Sequence, residues 1–139
     1  MRILLDTQCW LWMESAPARL SERARSLLAS TDSELYLSVA SAWEIAIKHA
    51  LGKLRLPEPP ARYVPSRLET TLVSAMSIEI GHVLAVATLP RHHRDPFDRL
   101  LIAQAQLEDL PILTADPVFS SYDVATISAR GKKQDVRLR

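Results

Sequence analysis

The chain has 139 residues and a net charge of +1, so one domain with a sizeable core is expected, without the bulk positive charge that draws proteins to nucleic acid. The single cysteine, Cys9, excludes an internal disulfide and a multi-cysteine zinc site, and the three glycines fall in no phosphate-cradling pattern. No apolar run is long enough to cross a bilayer, which makes no membrane partner and a cytoplasmic setting the expectation.

Ile3, Leu4 and Leu5 form a short continuous apolar run closed by Asp6, as in a strand buried on both faces of a parallel sheet. Cys9–Met13 follows and reads as helix, apolar on every side. Leu20, Ala24, Leu27 and Leu28 recur at helical spacing. Leu35–Ser38 reads as a second strand. Val39–Leu51 reads as a helix, with Ser38 or Ser41 as N-cap and Gly52 as its stop. The four prolines of Leu56–Pro65 predict a loop or a broken helical start. Ser66–Thr71 follows as helix, Leu72–Met76 as a third strand, and Ile78–Leu89 as a helix ended by Pro90. Asp95 and Pro96 open the clearest helix, Asp95 at N-cap and Pro96 at N1. Pro111–Thr114 and Val124–Ile127 are the last strands. Alternating strands and helices predict an α/β domain with a mainly parallel sheet. The domain is expected over residues 1–129, with a basic tail over 130–139.

Four acids stand out. Asp6 and Asp116 each follow an apolar strand, where open α/β sheets bind their ligands. Either alone is as well explained as a helix cap. Glu44 lies mid-helix, and a solvated pair with Lys48 four residues on accounts for it equally. Asp98 sits at N3, where an acid favours the helix dipole; with Asp95 as cap, Asp98 is the better ligand candidate. Clustered carboxylates without Cys, and without an obvious His partner, favour Mg2+ or Mn2+ over zinc. His92 and His93 read as loop histidines. Arg94 and Arg99, with Arg130, Lys132 and Lys133 of the tail, are candidates for steering phosphates or are solvated surface charges.

The segments MRILLDT, SAWEIAIK, HRDPFDRLLIAQA and ILTADPVF, in this order and spacing, resemble the PIN-domain family, and within it the VapC-type toxin ribonucleases of toxin–antitoxin pairs. The resemblance implies a five-stranded sheet in the order 3-2-1-4-5 and a Mg2+-dependent endoribonuclease acting on RNA. By position it places the family's acids on Asp6, Glu44, Asp98 and Asp116. Asp6, Asp98 and Asp116 are then the expected metal ligands, supported by Thr7 and Thr114; Arg94 and Arg99 are the expected RNA contacts on their charge alone. It also implies a homodimer inhibited by a cognate VapB-like antitoxin.

Two other readings compete. A strand-end Asp6 also suits an aspartyl-phosphate phosphotransferase, although no second acid stands two residues on. A non-catalytic module that binds RNA or protein is the other. The belt Cys9–Met13 bears on partners, because Trp10 and Trp12 lie about 200° apart on a helix. Burying both requires either a covering segment of the same chain, expected within Leu51–Tyr63, or an interface.

Overall fold

The structure is a computed structural model and describes residues 1–130. Five strands, β1 (Arg2–Leu5), β2 (Glu34–Ser38), β3 (Val73–Met76), β4 (Ile112–Thr114) and β5 (Thr126–Ser128), form one sheet in the order β3-β2-β1-β4-β5. All four pairings are parallel. The helices are α1 (Thr7–Ser15), α2 (Glu22–Ala29), α3 (Val39–Ala50), α4 (Pro60–Thr71), α5 (Ile80–Ala85) and α6 (Pro96–Glu108). Tight 3-10 turns occupy Pro17–Arg19, Val86–Thr88 and Pro117–Ser121.

The apolar run of β1 is continuous because the strand is central and covered on both faces. Successive side chains point to opposite faces. Ile3 and Leu5 join Leu35, Leu37, Leu113 and Ile127 in a core roofed by Trp10, Ala24, Ile45 and Tyr63. Leu4 turns the other way and packs with Ile112 against Leu101, Ile102 and Phe119. The order of strands reverses at β1, whose two neighbours are β2 and β4. A ligand crevice is expected outside the carboxyl ends at such a reversal.

The local signals explain most helix ends. Ser38, rather than Ser41, caps α3 by accepting the Ala40 N–H at 3.0 Å. Gly52 takes φ +72° just beyond that helix, the left-handed conformation glycine adopts without strain. Asp95 caps α6 through the Phe97 N–H at 2.8 Å, with Pro96 in its first turn.

Two expectations are corrected, and a third, left open between two readings, is narrowed. The proline-rich stretch is not loop throughout, because Pro60 starts α4 at a position where its missing N–H is tolerated and Pro65 is carried inside the helix. The segment Ile78–Leu89 is not one helix: α5 ends at Ala85 and tightens into the 3-10 turn. The apolar belt of α1 is covered largely from within. Trp10 is buried edge-on against Tyr63 of α4, 6.2 Å between ring centres, and its indole N–H reaches Thr71 Oγ1 at 3.3 Å. Cys9 and Leu11 are buried as well, while Trp12 lies half-exposed beneath the Arg19 guanidinium. The belt therefore does not call for a partner chain. No helix among the described residues is long and apolar enough to cross a membrane. The tail lies outside the described residues except for Arg130, whose backbone pairs with Leu20.

Candidate active site

A cleft of about 430 Å³ opens at the carboxyl ends of the strands. Asp6, Glu44, Asp98 and Asp116 all line it, together with Asp95, Lys48 and Lys53. Asp6 and Asp116 come together because β1 and β4 are neighbours: Leu5 is in register with Leu113, and the Asp6 N–H donates to the Leu113 carbonyl at 3.0 Å. Glu44 enters from α3, which begins directly after β2, and Asp98 from the first turn of α6.

Asp6 is buried, and both of its oxygens are engaged. Oδ1 accepts the Gln8 N–H at 3.0 Å, and Oδ2 accepts the Thr114 hydroxyl at 2.6 Å. The Thr114 hydroxyl in turn accepts the Asp116 N–H at 3.0 Å, so one threonine orders both strand-end acids. Asp116 Oδ1 accepts the Val118 N–H at 2.9 Å. Capping and convergence are thus not alternatives here: each strand-end Asp caps the turn that follows with one oxygen and directs the other inward. Thr7 also lines the cleft, but its hydroxyl donates to Ser41 at 2.7 Å, which ties α1 to α3.

Glu44 is 5% exposed. Its Oε2 pairs with Lys48 Nζ at 2.5 Å, and its Oε1 is buried with no hydrogen-bond partner among the described residues. That pair pushes the Lys48 ammonium above its ordinary value, since the hydrogen bond to Glu44 favours the charged form. Burial pushes the Asp98 carboxyl up to about 8, and the charges of Asp95, Asp6, Glu44 and Asp116 add to the rise. Burial also raises Asp6, opposed by its two donors, Thr114 and Gln8. An excess of acid that is costly to ionise, with an orphaned buried carboxylate oxygen at its edge, fits a hard divalent cation held through oxygens.

His93 corrects the expectation of a site without histidine. Its Nε2 lies 2.9 Å from Asp116 Oδ2 and 3.0 Å from Asp98 Oδ2. The sequence carried a signal for it only in its position two residues before the N-cap Asp95. Lys53 at the rim was also missed; it follows the helix-stopping Gly52 and has no spacing relation to the acids. Arg94 is exposed beside the cleft loop. Arg99 is differently occupied: its guanidinium donates to the carbonyls of Pro90 at 2.9 Å and Val86 at 3.0 Å, and so fastens the loop that precedes α6.

Residues 3–125 match the sequence model of the PIN domain. The chain is a PIN-domain protein. Ribonuclease VapC16 of Mycobacterium tuberculosis (strain ATCC 25618 / H37Rv) is 45% identical over 58 residues, a stretch that takes in 42% of this chain and only 41% of that protein's length. Among solved structures, VapBC2 from Rickettsia felis, bound to a DNA fragment from its promoter, superposes with a TM-score of 0.67 at 13% identity, covering 93% of this chain and 99% of that one. VapC20 of Mycobacterium tuberculosis, a sarcin–ricin loop cleaving toxin, superposes with a TM-score of 0.64 at 15% identity, covering 92% and 98%. At these identities the structural likeness speaks for the PIN fold. Within that fold, the five acids of the cleft lie where the sheet order reverses.

Proposed function

We propose that this PIN domain is an endoribonuclease dependent on Mg2+ or Mn2+, and that it is the toxin of a type II toxin–antitoxin pair. The observation that carries the reading is the cleft: five carboxylates converge in it, and Glu44 keeps one buried oxygen unpartnered. The names of the relatives, a ribonuclease and a toxin that cleaves an RNA loop, point the same way.

Asp6, Asp98 and Asp116 would hold the cation, with Glu44 Oε1 facing it or its water. A divalent ion in such a site polarises a phosphoryl oxygen and activates water at neutral pH. The chain's own part is orientation. Thr114 holds the Asp6 carboxylate through its hydroxyl at 2.6 Å and the backbone of Asp116 through the N–H contact at 3.0 Å. Lys48 neutralises Glu44 Oε2 and leaves Oε1 as the acceptor within the cleft. Lys53, which lines the cleft, and Arg94, exposed in the loop before α6, are the proposed contacts to RNA phosphates. Arg99 is assigned to the loop, because its N–H groups already bond backbone carbonyls.

A VapB-like antitoxin is the proposed partner, by analogy with the VapBC neighbour. A homodimer is supported by the exposed apolar side chains Ile80, Val83 and Leu84 of α5, and by Trp43 of α3. Light scattering at micromolar concentration should give twice the chain mass; a strict monomer would defeat the dimer.

Incubating the pure protein with a mixed RNA pool should yield defined cut ends in Mg2+ and none in EDTA, or with Asp6→Asn. RNA bound but uncut in Mg2+ would favour the non-catalytic module. The aspartyl-phosphate reading has less support, since no second acid stands two residues after Asp6. Covalent phosphate trapped on Asp6 would revive it.

A further inference from the structure

His93 presents an apparent ligand set. One atom each from His93, Asp98 and Asp116 lie within 4.8 Å of one another, close enough to share an ion. The other ring nitrogen points to a different role. The Asp95 N–H donates to His93 Nδ1 at 3.1 Å. A nitrogen that accepts a backbone N–H carries its lone pair there, so the proton of the neutral imidazole sits on Nε2. A protonated Nε2 has no lone pair for a metal, but it is a donor aimed at two carboxylates. A histidine that ligates through Nε2 is wired in the opposite sense, with an Nδ1–H donating to an acceptor.

The ring is also held against rearrangement. The His93 N–H donates to the Tyr122 hydroxyl at 2.7 Å, and that hydroxyl donates to the Pro90 carbonyl at 2.9 Å. Arg99 bonds the same carbonyl from the other side. The imidazole stands edge-to-face with Phe119 at 5.7 Å. Swapping its nitrogens would set Nδ1–H against the Asp95 N–H and leave both carboxylates without a donor.

We propose that His93 is a positioning residue and not a metal ligand: its Nε2–H braces Asp98 Oδ2 against Asp116 Oδ2 and leaves the second lone pair of each of these oxygens, with Asp98 Oδ1, for the cation. The inference rests on the reading of Asp98 and Asp116 as cation ligands. A donor shared between Asp98 Oδ2 and Asp116 Oδ2 holds the two side chains in a binding geometry before any ion arrives.

The test uses the full chain, 15N-labelled at histidine, with Mn2+ as the probe. Without metal, long-range 15N–1H correlation should show the Nε2–H tautomer for the imidazole whose signal vanishes in His93→Gln. With Mn2+ bound, electron spin-echo modulation should show no directly coordinated imidazole nitrogen. Mn2+ affinity should stay within about threefold in His93→Gln, whose amide N–H can replace the donor. It should fall about 10-fold to 100-fold in His93→Leu, the range expected when a group that orients a ligand is lost. Melting curves would establish that both variants are folded. A nitrogen coupling that disappears in His93→Gln would make His93 a ligand and overturn the proposal. So would an Nδ1–H tautomer, or unchanged affinity in His93→Leu. No Mn2+ uptake by the wild type would overturn the cation reading and this role with it; an Nε2–H tautomer in the same protein would locate that failure in metal binding rather than in the brace.

Discussion

Replacing Asp98 by Asn should stabilise the cation-free protein, and increasingly so as the pH rises. The Asp98 side chain is 16% exposed, and burial together with the surrounding acids lifts its carboxyl from 3.8 to about 8. Between those two values the native state holds a proton that the unfolded chain has released. Stability then falls with rising pH, by at most ~1.4 kcal/mol per unit. Over the whole interval that limit is about 5–6 kcal/mol. An effective protein dielectric of about 20, and the donor of His93, reduce the expected penalty to roughly 2–3 kcal/mol by pH 8. Against this stands the loss of an acid from the first turn of α6, a matter of ~0.3–1 kcal/mol. Relief of charge therefore wins at neutral and alkaline pH. Asn keeps the volume and still offers an oxygen to the His93 donor. Urea unfolding of both proteins in EDTA, at about pH 5, 7 and 9, should give near parity at the lowest pH and the full gap at the highest. Mg2+ should then raise the wild type well above its own EDTA value and leave the variant nearly unmoved. A gap independent of pH, or a variant less stable than the wild type at the highest pH, would refute the electrostatic account.

Thr114→Val should cost about 1–3 kcal/mol, because it leaves a buried Asp6 oxygen and the Asp116 N–H without their partner; Thr114→Ser should restore most of that in the same denaturation assay. Asp95→Ala should cost roughly 0.5–2 kcal/mol as a lost N-cap, with Mn2+ affinity changed less than in Asp98→Asn; the reverse order of affinities would exchange the two roles. Tyr63→Ala should destabilise by about 3 kcal/mol and shift tryptophan fluorescence to the red, since it uncovers Trp10; an unshifted spectrum would show that α4 is not the cover of α1.

The elements that could be read from the chain are those whose signals are local. Asp95 and Pro96 mark a helix start by capping chemistry alone, and the run Ile3–Leu5 marks a central strand because burial on both faces removes any alternation. The sheet order came with the family resemblance, and strands β1–β4 in that order carry Asp6 and Asp116 to one crevice. Pro60 was misjudged because proline at N1 and proline in a loop look alike until the rest of the turn is known. The cover over Trp10 falls within the expected segment, at Tyr63, with Leu54 and Leu56 packed on the same cluster, and Thr71 extends it further along α4. His93 and Lys53 were invisible for a different reason. Neither has a periodic or strand-end position, and each reaches the cleft only through the course of a loop. Arg99 shows the converse. Its charge suggested a phosphate contact, while its planar fork of donors suits the carbonyls that the bend at Pro90 leaves facing it.

The contact between the Thr114 hydroxyl and Asp6 joins residues 108 positions apart. During synthesis Asp6 is made well before its orienting partner and before Asp116 beside it. An emerging chain that already carries Asp6, Glu44 and Asp98 lacks β4, and without β4 nothing aligns Asp6 or closes the cleft on that side. If the cleft cuts RNA, the chain gains that activity only once β4 has docked. A long-range strand pairing of this kind is slow to form because its loop-closure entropy must be overcome first. The cleft is therefore armed only after β1 and β2, which lead into its first acids, have paired.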